Sequence, residues 1–202
     1  MATRGRPRTF DESTALDQAM RLFWERGYEA AGVDDLANAM GISMSTFYST
    51  FGDKETLFLS ALNKYEVEKR GYASEILDRP QSAFLAFQEL FEEAAHQLTR
   101  EDQPRGCMLT LALHNCSPEL ETLRDQLNTR RTGTADAFQL RLKAAQVSLE
   151  IAPETDVRGL AWFLANTLQG MSIQARAGAT RKDLVKIAQW AMKAWPANSE
   201  QA

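Results

Sequence analysis

One cysteine, Cys107, has the sequence setting of a reactive nucleophile. It follows Pro104-Arg105-Gly106 and stands near the start of a predicted short helix over residues 106–115. A cysteine at a helix N-terminus beside an arginine can have a lowered pKa and react as the thiolate. The alternative is that Cys107 is a small buried apolar residue. Cys116 could be a resolving thiol only if the backbone brings the two cysteines together.

No other set of residues has the spacing of a catalytic or metal site. His96 and His114 lack the spacing of a helical ligand pair, and the cysteines do not cluster, so we expect no metal and no cofactor. The sequence contains no phosphate-binding loop, nucleophile elbow or zincin motif. We therefore expect a protein that is not an enzyme. A helical enzyme or a protein-interaction module is the alternative from another class.

The composition is typical of a soluble globular protein. Of the 202 residues, 44% are hydrophobic and 25% are charged. There is no apolar run long enough to span a membrane and no signal-peptide pattern. Two cysteines are too few for a disulfide framework, so we expect a cytoplasmic protein. The net charge of -4 argues against nonspecific coating of nucleic acid, so a DNA contact needs a local basic patch.

Apolar residues recur at helical spacing along the chain, which predicts an all-α fold of about nine helices. Asp11 is expected to cap the first helix, which ends at Gly27. A short second helix is predicted over Val33–Met40, and a third runs from Ser43 to about Thr50. A tight glycine-bearing turn joins these two. This is a helix-turn-helix, in which the second helix of the pair enters the major groove of DNA.

A basic arm precedes the first predicted helix. It contains Arg4, Arg6 and Arg8. Arms of this kind lie in the minor groove or along the phosphates. The alternative is a tail that only increases solubility.

Several segments resemble the TetR family of repressors. The similarity lies in Leu22–Glu29, Val33–Ala37 and Gly41–Ser43, and it is strongest over Phe47–Leu57. The resemblance implies an all-helical homodimer on a palindromic double-stranded DNA operator. It also implies that a small-molecule effector in the C-terminal domain moves helix four and separates the two DNA-binding heads.

The domain prediction follows from the size of the first three helices, which are too short to bury a core without a fourth. We predict a helix-turn-helix DNA-binding domain over residues 1–52. An effector-binding and dimerisation domain is predicted over 53–202. Helix four, about 53–70, should be capped by Asp53 and link the two.

The resemblance assigns DNA-facing positions residue by residue. The chain has Met44 where the family often has Arg or Lys, and Gly32 where the family often has Thr or Ser. The reading helix has no Arg, Asn or Gln for bidentate base contacts, so we expect weak readout of each base and a large contribution from DNA shape. Together with the basic arm, the predicted DNA-binding residues are Ser43, Met44, Ser45, Tyr48, Ser49 and Lys54.

The effector pocket is predicted among helices five to eight, where aromatic, sulfur and amide groups concentrate. Its apolar character suggests a small hydrophobic or aromatic effector. The segment Arg105–Leu109 is also similar to a cysteine-bearing subgroup of the family, and some members of that subgroup sense electrophiles. A redox- or electrophile-responsive repressor acting through Cys107 is therefore the alternative. The predicted effector-binding residues are Phe87, Phe91, Cys107, Met108, Leu111, His114, Phe138, Trp162, Phe163 and Asn166.

Helices eight and nine are the predicted dimer interface. Helix eight is apolar around its whole circumference, so it must pack on two sides. One side can face its own domain and the other a partner chain, although burial inside a monomer is the alternative. The predicted interface residues are Leu164, Leu168, Met171, Ala175, Leu184, Ile187 and Ala191.

Overall fold

The computed structural model describes residues 11–112 and 117–196. In these two ranges the chain is helical throughout, with nine α-helices and no strand. Arg4, Arg6, Arg8, His114 and Cys116 lie outside the described residues. No helix within the described ranges is both long and apolar enough to cross a membrane.

The first three helices have the predicted bounds to within a residue or two, because local caps define their ends. They are α1 (Glu12–Arg26), α2 (Val33–Met40) and α3 (Met44–Phe51). The Asp11 carboxylate accepts from Ser13 N–H, and the Ser43 hydroxyl accepts from Thr46 N–H. Between α2 and α3, Gly41 has a φ of 68°. This left-handed conformation suits glycine and turns the chain sharply enough to pack the two helices together.

Helix α4 extends further than the sequence indicated, from Lys54 to Leu77. Asp53 caps its start by accepting from Thr56 N–H at 2.7 Å, as predicted. The extra turns exist because Ile76 and Leu77 are buried in a second apolar core. The helix therefore runs from the DNA-binding head deep into the C-terminal region.

The C-terminal region contains five more helices. The shortest, α6, is a single turn rather than the predicted ten residues, because Cys107 and Ala112 on either side have extended backbone. A 3₁₀ turn over Pro118–Leu120 leads into α7. The helices are α5 (Ala83–Gln97), α6 (Met108–Leu111), α7 (Glu121–Val147), α8 (Val157–Arg176) and α9 (Arg181–Met192).

Two apolar cores divide the described residues, and they cut across the predicted boundary at residue 52. The first core, the head core, joins α1, α2, α3 and the first half of α4 to Met108, Leu109, Leu123 and Leu127. The second, the distal core, joins the end of α4 to α5, most of α7, α8 and α9. Cys107 is partly buried and packs against both cores. The short helix α6 therefore packs with the DNA-binding helices although it lies in the middle of the C-terminal sequence.

Candidate DNA-binding helix and effector pocket

Helix α3 presents a polar face to solvent and anchors its other face with two phenylalanines. Phe47 and Phe51 are buried in the head core. Ser45, Tyr48 and Ser49 are exposed, and their spacing places them on one side of the helix. The Tyr48 ring is 52% exposed and meets the edge of Phe47 at 5.3 Å between ring centroids. An exposed α-helix anchored in this way can enter the major groove of DNA while the rest of the head stays folded.

Two predicted DNA-facing residues at the start of α3 have structural roles as well. The Ser43 hydroxyl caps the helix and lies 2.9 Å from the Thr46 hydroxyl. Met44 is partly buried against the head core, so only part of its side chain is available to DNA. Of the predicted set, Ser45, Tyr48 and Ser49 are therefore the most accessible.

Lys54 is half-buried at the start of α4. Its ammonium group donates to the Glu29 carbonyl at 3.3 Å and lies 4.6 Å from the centre of the Tyr28 ring. Burial lowers the pKa of Lys54, while the charge of Glu29 opposes that shift. These contacts hold the ammonium at the start of α4 rather than leaving it free on a flexible chain.

Acidic side chains neutralise the basic residues of the head. Arg21 pairs with Glu25 at 3.1 Å, and Arg26 pairs with Asp35 at 2.9 Å. Within residues 11–54, both arginines are therefore paired with carboxylates, whereas Lys54 contacts a carbonyl and an aromatic ring.

The predicted effector residues do not form one site. Phe87, Phe91 and Phe138 are fully buried in the distal core, where Phe87 and Phe138 meet edge to face at 5.0 Å. Met108 is buried in the head core, and Leu111 is half-buried on α6. Trp162, Phe163 and Asn166 lie on the outer face of α8. Of the predicted effector residues that the structure describes, Cys107 alone lines the pocket described next.

The pocket lies between the end of α1 and helices α4, α6, α7 and α8. Its free volume is about 40 Å³, which is room for a few water molecules. Its wall combines aromatic and aliphatic groups with several hydrogen-bonding side chains, and charged arginines lie among them. The lining residues that the argument uses are Trp24, Tyr65, Arg70, Tyr72, Gln103, Cys107, Thr110, Arg131 and Ser172.

The charge beside Cys107 comes from Arg70 on α4 and not from Arg105, the sequence neighbour. Burial opposes ionisation of the thiol, but the charge of Arg70 and hydrogen bonds from Tyr65 and Thr110 outweigh it, so the pKa of Cys107 lies below its ordinary value. Arg105 instead donates to the carbonyls of Ala175 and Ala179. The expected helix-terminus effect is small because α6 is a single turn.

Helices on both sides hold α6 in place. Arg131 of α7 donates to the Leu109 carbonyl at 3.1 Å and to the Ala112 carbonyl. The Cys107 N–H donates to the Ser172 hydroxyl at 2.7 Å. The sequence signal for Arg131 is its position, because this charged residue is in register with the buried Leu123, Leu127, Ala135 and Phe138 of α7.

Two tyrosines and one glutamine shape the chemistry of the pocket. Burial raises the pKa values of Tyr65 and Tyr72, so both phenols stay protonated and can donate hydrogen bonds. Gln103 donates from Nε2 to the Gln97 carbonyl at 2.9 Å, which fixes the orientation of its amide. Its Oε1 is buried without a hydrogen-bond partner among the described residues. A buried acceptor of this kind is satisfied by a donor on a bound molecule.

The predicted dimer residues lie mostly inside the chain's own core. Leu164, Met171, Ala175, Leu184 and Ala191 are buried in the isolated chain. Leu168 lines the pocket, and Ile187 is half-buried. The prediction selected the inner face of α8 because a helix that is apolar all round does not reveal from periodicity which side faces its own domain. The exposed apolar residues of α8 and α9 are Trp162, Phe163, Ile173 and Trp190.

An exposed helix-turn-helix on a small helical head, joined by one long helix to a larger helical region with a small pocket, is typical of a ligand-responsive DNA-binding regulator. The comparisons with known proteins agree. Residues 15–61 match the family model for bacterial regulatory proteins of the tetR family, and residues 86–190 match the tetracyclin repressor-like C-terminal domain. The chain belongs to the TetR family of DNA-binding transcriptional regulators, whose members are typically homodimers and not enzymes.

Similar proteins span nearly the whole chain. The transcriptional repressor ComR of Escherichia coli is 36% identical over 96% of this chain and 93% of its own length. The repressor BdcR of the same organism is 28% identical over 94% of this chain and 91% of its own length. The solved structure of a cysteine mutant of the TetR-family regulator CifR, in complex with 26-bp operator DNA, is 38% identical. It superimposes with a TM-score of 0.91 and covers 95% of this chain and 100% of that chain.

Proposed function

We propose that this chain is a cytoplasmic repressor that leaves an inverted-repeat operator when a small electrophile modifies Cys107. One observation carries the proposal: a half-buried thiol with a lowered pKa lines a small pocket with several hydrogen-bonding groups and packs against both the head core and the distal core. A reaction at this sulfur acts where the DNA-binding helices meet the rest of the protein. No enzymatic activity is assigned.

The pocket favours an electrophile over the hydrophobic or aromatic effector that the sequence suggested. A free volume of about 40 Å³ does not admit an aromatic ring unless the walls move. The polar groups around the thiol suit a small molecule with an oxygen or nitrogen beside its reactive carbon. Tyr65 and Tyr72 can donate to such a group, and Gln103 Oε1 can accept from it.

Modification has a steric consequence because the cavity is small. The thiolate attacks the electrophilic carbon, a carbon–sulfur bond forms, and the leaving group departs with its electron pair. The added atoms crowd a pocket with little free volume, so we expect α6 or its neighbours to move. Since α6 contributes Met108 and Leu109 to the head core, the displacement reaches the helices that position α3.

The test uses iodoacetamide as the probe and the Cys116→Ser variant, which leaves Cys107 as the remaining thiol. Operator affinity is measured by fluorescence anisotropy before and after complete alkylation, which intact mass spectrometry verifies. We expect about a tenfold or greater loss of affinity, within the range of typical allosteric couplings. The matched control, Cys116→Ser with Cys107→Ser, should keep its affinity after the same treatment. Unchanged affinity of the alkylated single-cysteine protein would refute the proposal.

We also propose that the homodimer forms through the outer faces of α8 and α9. On α8, Trp162, Phe163 and Ile173 are exposed, and Trp190 is exposed on α9. Large apolar groups that stay exposed on packed helices are typical of an interface between subunits. A two-fold pair would place two copies of α3 on successive turns of the major groove, about 34–36 Å apart.

A further inference from the structure

Trp24, a residue of the DNA-binding head, forms part of the pocket wall. It lies in the last turn of α1 and is 4% exposed. Its indole Nε1 donates to the carbonyl of Gly106 at 3.0 Å, across 82 positions of the sequence. Gly106 is the residue immediately before Cys107. The head therefore makes a direct hydrogen bond to the backbone that carries the thiol.

A second contact joins the same indole to the other side of the thiol. The Trp24 and Tyr65 rings meet edge to face, with 4.8 Å between their centroids. The Tyr65 hydroxyl in turn is hydrogen-bonded to the Cys107 side chain. Trp24 thus contacts both the preceding backbone of Cys107 and the phenol that holds its sulfur.

The backbone of Gly106 has little freedom to absorb a displacement by itself. Its φ is 81°, and a Cβ at this position would lie 2.8 Å from a Leu111 methyl group and 2.8 Å from the Ser172 carbonyl oxygen. The segment is closely packed on that side. A shift of Cys107 on modification is therefore transmitted toward the hydrogen-bonded indole.

The end of α1 is also tied to α8. Arg176 donates to the Trp24 carbonyl at 2.5 Å and to the Glu25 carbonyl at 3.3 Å. Next to Trp24, Phe23 packs edge to face on Phe58 at 5.0 Å in the head core. A displacement of the indole consequently tilts α1, and Phe23 on the same helix packs in the head core.

We propose that Trp24 is a positioning residue that transmits the state of the pocket to the DNA-binding head through α1, alongside the movement of α4. The proposal rests on the proposed function of Cys107 as the sensing thiol. Trp24 touches neither DNA nor the reacting atoms. It acts by linking Gly106 and Tyr65 to the helix that supports α2 and α3.

The test is a comparison of two tryptophan-to-phenylalanine variants in the Cys116→Ser background. Trp24→Phe keeps an aromatic ring against Tyr65 but removes the Nε1–H donor to Gly106. Trp195→Phe is the matched control, since Trp195 packs against Phe84 and Phe87 far from the pocket. For each protein the operator affinity is measured before and after complete alkylation of Cys107 by iodoacetamide, and the ratio of the two affinities is compared.

We expect the affinity ratio to be roughly fivefold smaller in Trp24→Phe than in the parent, the factor that one lost hydrogen bond is worth. The Trp195→Phe ratio should equal that of the parent. If alkylation lowers the operator affinity of the parent and of Trp24→Phe by the same factor, transmission through α1 is refuted. The proposed role of Cys107 as the sensing thiol is then unaffected. If alkylation does not lower the operator affinity of the parent, the sensing role of Cys107 and the positioning role of Trp24 are both refuted.

A second variant covers the case in which Trp24→Phe does not fold, as judged by circular dichroism. Tyr65→Phe keeps the ring that meets Trp24 and removes the hydroxyl that binds Cys107. Because the ratio is taken at complete alkylation, a change in alkylation rate does not enter it. A reduced ratio in Tyr65→Phe supports the route through Trp24, and an unchanged ratio contradicts it.

Discussion

Replacing Tyr48 by phenylalanine isolates one hydroxyl of the reading helix. The ring is 52% exposed and is held against Phe47, so the variant keeps that contact and should change folding stability by less than about 0.5 kcal/mol. The hydroxyl is expected to donate to a DNA phosphate. A hydrogen bond to a charged group is worth about 1.5–3 kcal/mol, and the lower end applies because the exposed hydroxyl gives up water to make it.

With two heads on one operator, the loss in Tyr48→Phe doubles to about 3 kcal/mol, which is roughly a hundredfold in affinity. The assay is fluorescence anisotropy with operator DNA and with a scrambled duplex at several salt concentrations. Since a phosphate carries no sequence information, both duplexes should lose similar factors, and the salt dependence should keep its slope because no charge is removed. Affinity within about twofold of the parent, or a loss confined to the operator, would refute the phosphate contact.

Three further predictions concern the pocket and the dimer. Arg70→Gln should raise the pKa of Cys107, because burial remains while the compensating charge is lost; the pH profile of iodoacetamide alkylation should move to higher pH, and an unmoved profile contradicts the role of Arg70. Gln103→Met should abolish any preference for iodoacetamide over methyl iodoacetate, measured as alkylation rates relative to free glutathione, because the methyl ester lacks the N–H donor for Gln103 Oε1. Phe163→Lys should convert the dimer to monomer in light scattering and lower operator affinity, and a persistent dimer would exclude this face of α8.

Local rules explain why the head was predictable from the sequence. Asp11, Ser43 and Asp53 cap the starts of α1, α3 and α4, as expected. Gly27 ends α1 and Gly41 ends α2. These interactions span only a few residues, so they can be recognised without knowing the fold. The resemblance indicated the DNA-facing positions of α3, and Phe47 and Phe51 are buried on its other face.

The pocket depends on contacts between residues that are far apart in sequence. Cys107 was identified, but its partners Tyr65 and Arg70 come from α4 and Trp24 comes from α1. The nearest arginine in the sequence, Arg105, points instead to carbonyls at the end of α8. Sequence proximity therefore pointed to Arg105, whereas the cation beside Cys107 is Arg70.

The two faces of α8 could not be distinguished from its sequence. Leu164 and Met171 are buried in the chain's own core, whereas Trp162 and Phe163 face solvent in the isolated chain. All four are large and apolar, so hydrophobic periodicity cannot distinguish the buried face of α8 from the exposed one. Only the packing against α7 and α9 decides which side remains for a partner.

The exposure of α3 is the claim on which the regulatory role depends, and the substitution Ser45→Glu tests it most directly. A carboxylate at this exposed position would face the phosphates of both strands, and like charges brought together at an interface cost several kcal/mol. We predict a loss of more than about a hundredfold in affinity for operator and scrambled DNA. The matched variant Ser74→Glu, on the exposed far end of α4, should bind as the parent does. Parent-like binding by a folded Ser45→Glu protein would show that α3 is not the helix that enters the groove.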